Sequence, residues 1–321
     1  MPPPRGSVNP IEGPGKSFSS EAASFTHEQP STGDYEVTTV LHNDSYPEIS
    51  PLSIAPLNKA VFVVGASRGI GLAIAKSFAQ AGASHIALGA RSELTSVKEE
   101  VLKAAADAKR SAPQVLCVEL DVASQKSTEA ASALVEKEFG KLDILLINAG
   151  KFSMGPLIAD TDPEEWWDIY NVNLKGPYLI SRACLPLMLK GGDKTIVTTA
   201  SVGAFLITPG LSAYQDSKLA VLRLMEFVNR EYADEGVTAF AIHPGNVPTE
   251  LIGGPEGIPE DLKHIFVETP ELSADTIVYL TKEKRVWLGG RYINVTWDMP
   301  ELMAKEDEVV KGDKLKVKFV F

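Results

Sequence analysis

A chain of 321 residues, 44% hydrophobic and 23% charged, holds enough apolar material for one large α/β domain with appendages or two small domains. Its formal net charge of −11 argues against nucleic acid or an anionic membrane as a general partner. The two cysteines, Cys117 and Cys184, form no spaced cluster, so no metal and no disulfide framework is expected, and a reducing compartment, the cytoplasm, is the default location.

No apolar run approaches the length of a bilayer span. The first 35 residues lack an apolar h-region and are too acidic and Arg-poor for a transit peptide. They are rich in Pro, Ser, Gly and Glu, cannot bury enough surface to offset ordering entropy, and are expected to form a disordered tail over 1–35. Residues 36–57 intersperse Val, Leu, Ile and Tyr with prolines and read as an extended arm lying on the core or on a neighbouring subunit.

From Lys59 the rhythm changes. The continuous apolar run AVFVVGA marks a strand buried on both faces, and GLAIAKSFAQAGA after it has helical period. HIALGA predicts a second strand, Glu93–Arg110 a polar-faced helix, QVLCVEL a third strand, Gln125–Phe139 a helix and LDILLINA a fourth strand. A long helix follows: Asp162 is its expected N-cap, Pro163 sits at N1, Glu165 at N3 completes a capping box, and the helix runs to about Leu189. KTIVTTA, a helix over about 211–235, VTAFAIHP, a helix near Ala274–Glu283 and the strand RYINV complete the alternation. This order predicts an α/β fold over 58–296: a Rossmann-type, doubly wound parallel sheet of about seven strands with helices on both faces. Residues 297–321 offer a short helix, a stop at Gly312 and the alternating KLKVKFVF, a tail with one apolar face.

Two local patterns carry chemistry. GASRGIG joins the first strand to the first helix, where backbone N–H groups and a helix N-terminus can face a phosphate and where glycine permits positive φ and close ligand approach. YQDSK places Tyr214 and Lys218 four residues apart on one helical face. The spacing Gly-x-x-x-Gly-x-Gly resembles that of the short-chain dehydrogenase/reductase family, and the rest of that family's pattern follows in order. Gly65, Ser67, Arg68, Gly69, Ile70 and Gly71 match its cofactor turn. Asp121 and Val122 match its adenine contact, and Asn148, Ala149 and Gly150 its sheet-stabilising element beside the cofactor. Asn173 falls on the long helix at the position of the catalytic Asn, and Ser201 lies thirteen residues before Tyr214. Pro244, Gly245, Val247 and Thr249 match the element beside the nicotinamide. Val64 departs from the pattern, since a Thr often precedes the first Gly.

The resemblance covers roughly 58–296 and implies strand order 3-2-1-4-5-6-7, with the site at the carboxyl ends of the strands. It implies an oxidoreductase acting on a ketone or secondary alcohol. Tyr214 would be the general acid for reduction, with the Lys218 cation lowering its pKa and also binding the nicotinamide ribose. Ser201 would hold the substrate oxygen, and Asn173 a water linking Lys218 to solvent. NAD-preferring members carry an acid at the end of the second strand; here Ala90 stands there, followed by Arg91, while Arg68 lies in the glycine turn. Two guanidinium groups predict a preference for NADP(H) over NAD(H). A redox-neutral isomerase or eliminase on the same scaffold and a non-catalytic dinucleotide-binding regulator are the alternatives.

The substrate pocket is expected to be walled by VGAFLITPGLSA, with Phe205 and Leu206, and by the Gly- and Pro-rich stretch after Thr249, read as a lid. That predicts a fairly apolar substrate. Trp166 and Trp167 read as packing or subunit-contact residues, Cys184 as a core residue, and His85, His243 and His264 take no catalytic role. The family resemblance implies a homodimer or homotetramer through the helices at about 163–189 and 211–235. The arm and tail resemble those of fungal short-chain reductases, some linked to secondary metabolism.

Overall fold

The computed structural model describes residues 37–258, 260 and 263–319; the tail expected over 1–35 lies outside them. Seven parallel strands form one sheet in the order β3-β2-β1-β4-β5-β6-β7: β1 Ala60–Val64, β2 His85–Ala90, β3 Gln114–Glu119, β4 Ile144–Ile147, β5 Thr195–Thr199, β6 Thr238–His243 and β7 Tyr292–Asn294. Every residue of β1, β4 and β6 is buried, as continuous Val, Ile, Leu and Ala demand of strands covered on both faces. β3 lies at the sheet's edge, and half of its residues are exposed.

The helices form two layers. On one face α1 (Gly69–Gln80) packs against α2 (Thr95–Asp107) and α7 (Pro270–Thr281). On the other, α3 (Gln125–Phe139) packs on α5 (Gly176–Leu189), and α4 (Pro163–Tyr170) on α6 (Ser212–Tyr232). Phe62, Phe78, Phe240 and Leu145 are fully buried between them. Each such side chain contributes about 1.5–3 kcal/mol on removal from water.

The structure departs from the predicted elements at three places. The helix expected as one span over 163–189 is broken by a π-helical turn, Asn171–Lys175, in which the Gly176 N–H bonds the Asn171 carbonyl. Pro177 contributes to this break, because it has no N–H to give the carbonyl four residues before it, that of Asn173. At the start of α4, Asp162 caps through its side chain, but it accepts from Glu164 at N2; the reciprocal bond from Glu165 expected of a capping box is not formed. α7 begins at Pro270, four residues before the expected Ala274, with the Thr269 side chain capping the Leu272 N–H.

The arm lies on its own chain. Tyr46 and Ile49 are buried, the Tyr46 hydroxyl accepts the Met299 N–H at 2.8 Å, and Leu41 bridges Trp297. Glu301 accepts from Thr39, and Asp275 accepts from both Ser45 and Ser77. At the other terminus α8 (Met299–Ala304) and α9 (Glu306–Lys311) lead to a segment whose Leu315 carbonyl accepts the Tyr292 N–H at 2.8 Å, beyond the outer side of β7. Leu315 and Val317 pack against the core there.

Candidate active site

The strands present their carboxyl ends to one cavity of about 420 Å³. All the residues assigned to a dinucleotide or to chemistry line it except Gly71 and Asn173, which lie behind its wall. The glycine turn is built by backbone contacts that admit no side chain. Gly65 has φ +84°, its N–H and that of Ala66 both bond the Gly89 carbonyl, and a Cβ there would lie 2.6 Å from the Ala149 nitrogen. A Cβ on Gly71 would lie 1.9 Å from the Gly65 carbonyl oxygen, so the first turn of α1 is seated directly on the strand end. Asn148 fixes the same carbonyl, donating to it at 3.3 Å and accepting from Thr199 Oγ1 at 3.1 Å. The far wall comes from the loop after β6. Gly245 (φ +80°) closes onto Glu268, whose carboxylate accepts the Asn246 N–H at 2.9 Å.

The chemical cluster stands on α6. Tyr214 and Lys218 share a face of that helix, as four-residue spacing requires, and both point into the cavity. Ser201 lies beside the Tyr214 ring, since a Cβ on Gly203 would meet Ser201 Oγ at 3.2 Å and Tyr214 Cε1 at 3.6 Å. Ser201 also caps the 3-10 turn Val202–Phe205, accepting the Gly203 N–H at 3.0 Å. Lys218 Nζ donates to the Thr199 carbonyl at 2.8 Å and stands 5.7 Å from the Tyr214 ring centroid. Asn173 lies behind them, with its amide accepting the Lys151 N–H at 2.8 Å and donating to the Lys151 carbonyl and to Ser217 Oγ. Ser217 Oγ in turn donates to the Tyr214 carbonyl at 2.7 Å. The π-turn thus brings its Asn side chain to the strand-β4 loop and to α6 together.

Electrostatics differ from the sequence expectation. Burial pushes the Tyr214 phenol above its ordinary value, with the neighbouring Ser201 hydroxyl opposing. The Lys218 ammonium, buried without a carboxylate beside it, is pushed down to about 8.

The substrate end of the cavity also differs. Phe205 packs edge-on against Tyr292 and neither it nor Leu206 lines the cavity, because the 3-10 turn carries them aside. Leu211, from the same predicted stretch, supplies that wall, and Leu251, Ile252, Ile258 and Phe266 come from the predicted stretch after Thr249; Phe152 and Met154 complete the lining. Phe152 meets the Tyr214 ring edge-on at 5.0 Å. Phe152 was not anticipated from the sequence, and Glu250 and Glu268 fell within the stretch after Thr249 without a role of their own. The run Thr269–Pro270, a cap followed by proline, would have located the start of α7 and thus Glu268 just before it. Trp166 donates from its indole to Ser212, while Trp167 is largely exposed on α4.

A glycine turn between strand and helix, together with a Tyr–Lys pair in the cavity beside it, defines the class of a dinucleotide-dependent oxidoreductase. The family model described as short chain dehydrogenase matches residues 59–254. The short chain dehydrogenase pigC of Monascus ruber is 53% identical over 321 residues, covering 100% of both chains. The short chain dehydrogenase citE of Monascus ruber is 55% identical over 279 residues, 87% of this chain and 94% of its own. A short-chain type dehydrogenase/reductase from Mycobacterium marinum superposes with TM-score 0.67 at 26% identity, covering 77% of this chain and 97% of that one. A 7α-hydroxysteroid dehydrogenase complexed with NADH and 7-oxo glycochenodeoxycholic acid shares the fold, with TM-score 0.66 at 22% identity over 78% of this chain and 97% of that one. The chain belongs to the short-chain dehydrogenase family and is an oxidoreductase that uses a nicotinamide nucleotide. Among the described residues no helix is long and apolar enough to cross a membrane.

Proposed function

We propose that the protein is an NADP(H)-dependent reductase of a ketone, or dehydrogenase of a secondary alcohol, acting on an uncharged and fairly apolar small molecule. The observation that carries this reading is the convergence of Ser201, Tyr214 and Lys218 on one cavity whose other wall is the glycine turn, with Lys218 Nζ 5.7 Å from the Tyr214 ring centroid. The residues fit a dinucleotide: backbone at Gly65 and Gly71 lies too close to its neighbours for any Cβ, which keeps the phosphate cradle open. Asp121 and Val122 would hold the adenine end, Lys218 the nicotinamide ribose, and Arg68 with Arg91 a 2′-phosphate. The bound nicotinamide would supply the hydride. Tyr214 Oη donates its proton to the nascent alkoxide oxygen, and the Ser201 hydroxyl donates a hydrogen bond to the same oxygen. The Asn173 carbonyl, to which Pro177 can give no bond, is suited to hold a water on the route from Lys218 to solvent.

The substrate class follows from the lining. Among the described residues, those with charge at the cavity are Arg68, Arg91, Asp121 and Lys218, all at the dinucleotide side or in the proton relay. The other end is aliphatic and aromatic, and a carboxylate or phosphate placed there would lose its hydration without a partner. Net NADPH consumption with a panel of neutral carbonyl compounds tests the reading and separates it from a redox-neutral step. The full-length likeness to the Monascus ruber protein supports a place among fungal enzymes of secondary metabolism, and two free thiols fit a cytoplasmic setting. Exposed Trp167, Tyr178 and Phe227 on α4, α5 and α6 support pairing through those helices into a dimer or tetramer.

Two outcomes are expected here. Dinucleotide titration gives at least about tenfold tighter binding of NADPH than NADH, the scale of one or two charge-assisted bonds; equal affinities would remove the NADP preference. The pH profile follows from burial. Below about 8 Lys218 is cationic, and the raised Tyr214 phenol keeps the proton that reduction consumes. Reduction kcat/KM is therefore flat near neutrality and falls as pH rises through about 8, where the Lys218 cation is lost. Oxidation needs unprotonated Tyr214 and gains with pH. A reduction rate climbing through that window contradicts the assignment.

A further inference from the structure

Arg68 is already occupied. Its guanidinium pairs with the carboxylate of Glu250, the first residue of the 3-10 turn Glu250–Ile252 in the loop after β6. The bond links two stretches 182 positions apart, the turn that starts α1 and the loop that walls the substrate end. The backbones beside it are in contact too, since a Cβ on Gly69 would lie 3.4 Å from Thr249 Cγ2. Arg91, by contrast, has no ion-pair partner among the described residues.

We propose that Glu250 is a cofactor-discriminating residue, a resident competitor for the Arg68 guanidinium that a 2′-phosphate must displace. The inference rests on the assignment of Arg68 to that phosphate. A planar guanidinium fork matches a carboxylate or a phosphate, and it cannot give the same pair of donors to both. Both side chains of the existing pair are about two-thirds exposed, 68% and 66%, so the pair is weak and yields to a phosphate monoester of charge near −2. The displaced carboxylate then stands beside a like charge. A dinucleotide with a free 2′-hydroxyl has no group that claims the fork, and leaves the pair intact. Glu250 therefore moderates the preference that Arg68 and Arg91 create. It also ties the occupancy of the 2′ position to the loop carrying Leu251 and Ile252 into the cavity.

The test needs no substrate. Dissociation constants of NADPH and NADH are measured on the full chain by nicotinamide fluorescence, for the wild type, Glu250→Gln, Glu250→Ala and Arg68→Gln, at low and high salt. Both Glu250 variants are expected to bind NADPH about three- to fivefold more tightly, the scale of one exposed ion pair, with NADH unchanged and the gain shrinking at high salt. Arg68→Gln is expected to weaken NADPH alone. If Arg68→Gln shifts the NADPH:NADH ratio while the Glu250 variants leave it unchanged, or weaken NADPH, the competitor role is overturned and the cofactor assignment stands. If Arg68→Gln leaves the ratio unchanged, the assignment of Arg68 fails and the competitor role with it. Unfolding midpoints of these exposed-site variants are expected to match the wild type.

Discussion

Tyr214→Phe is expected to lower turnover by about 10²–10⁴-fold while leaving NADPH binding within a factor of about two. The substitution removes one oxygen and little else. The ring keeps its edge-on contact with Phe152, and the Ser217 bond goes to the Tyr214 backbone carbonyl, so α6 holds its place. What disappears is the proposed proton donor beside Ser201. Steady-state turnover of any accepted carbonyl compound, paired with a cofactor dissociation constant, separates the two effects. Full turnover with normal binding would show that the proton comes from elsewhere.

Gly71→Ala should have the largest effect of any single methyl group added to the chain. Its Cβ would sit 1.9 Å from the Gly65 carbonyl oxygen and 2.9 Å from Asn148 Nδ2. Neither neighbour can yield cheaply. The Gly65 carbonyl belongs to a turn at φ +84° that is itself pressed against the Ala149 backbone, and Asn148 is tied to β5 through Thr199. Relief requires α1 to lift from the strand end, which widens the cradle just where a phosphate would bind. Overpacking of this kind typically costs about 1–3 kcal/mol, and more where backbone must move. Expected results are a lower denaturant midpoint and NADPH affinity reduced by at least about 100-fold, equivalent to about 2.7 kcal/mol. Gly191→Ala is the control: a Cβ there meets nothing within 4 Å and its φ is not positive, so stability should change by less than about 0.5 kcal/mol. Equal behaviour of the two variants would refute the cradle argument.

The sheet was legible because burial on both faces leaves a direct trace, an unbroken apolar run, and the seven runs became seven strands in the expected order. The cavity was legible for a related reason: residues at strand ends of a doubly wound sheet must converge, so motifs placed after strands meet in space. The π-turn was not legible, because a one-residue widening leaves the apolar period nearly intact; the dipeptide Gly176–Pro177 was its trace. The direction of Phe205 was hidden too. It depends on a 3-10 turn capped by Ser201, a contact decided by tertiary placement and not by local pattern. The shift at Tyr214 was misjudged because spacing shows that a cation is near but says nothing about how much water the phenol has lost. The Arg68–Glu250 pair joins residues 182 positions apart, and no periodicity reports such a contact.

The Leu315 carbonyl that meets Tyr292 has a consequence for how the molecule behaves when crowded with its own kind. A margin strand with open donors is a template onto which a foreign extended segment can zip, the first step toward fibrils. On the β7 flank that place is taken from within the same polypeptide. On the opposite flank, Gln114–Glu119, an exposed glutamate opposes strand recruitment.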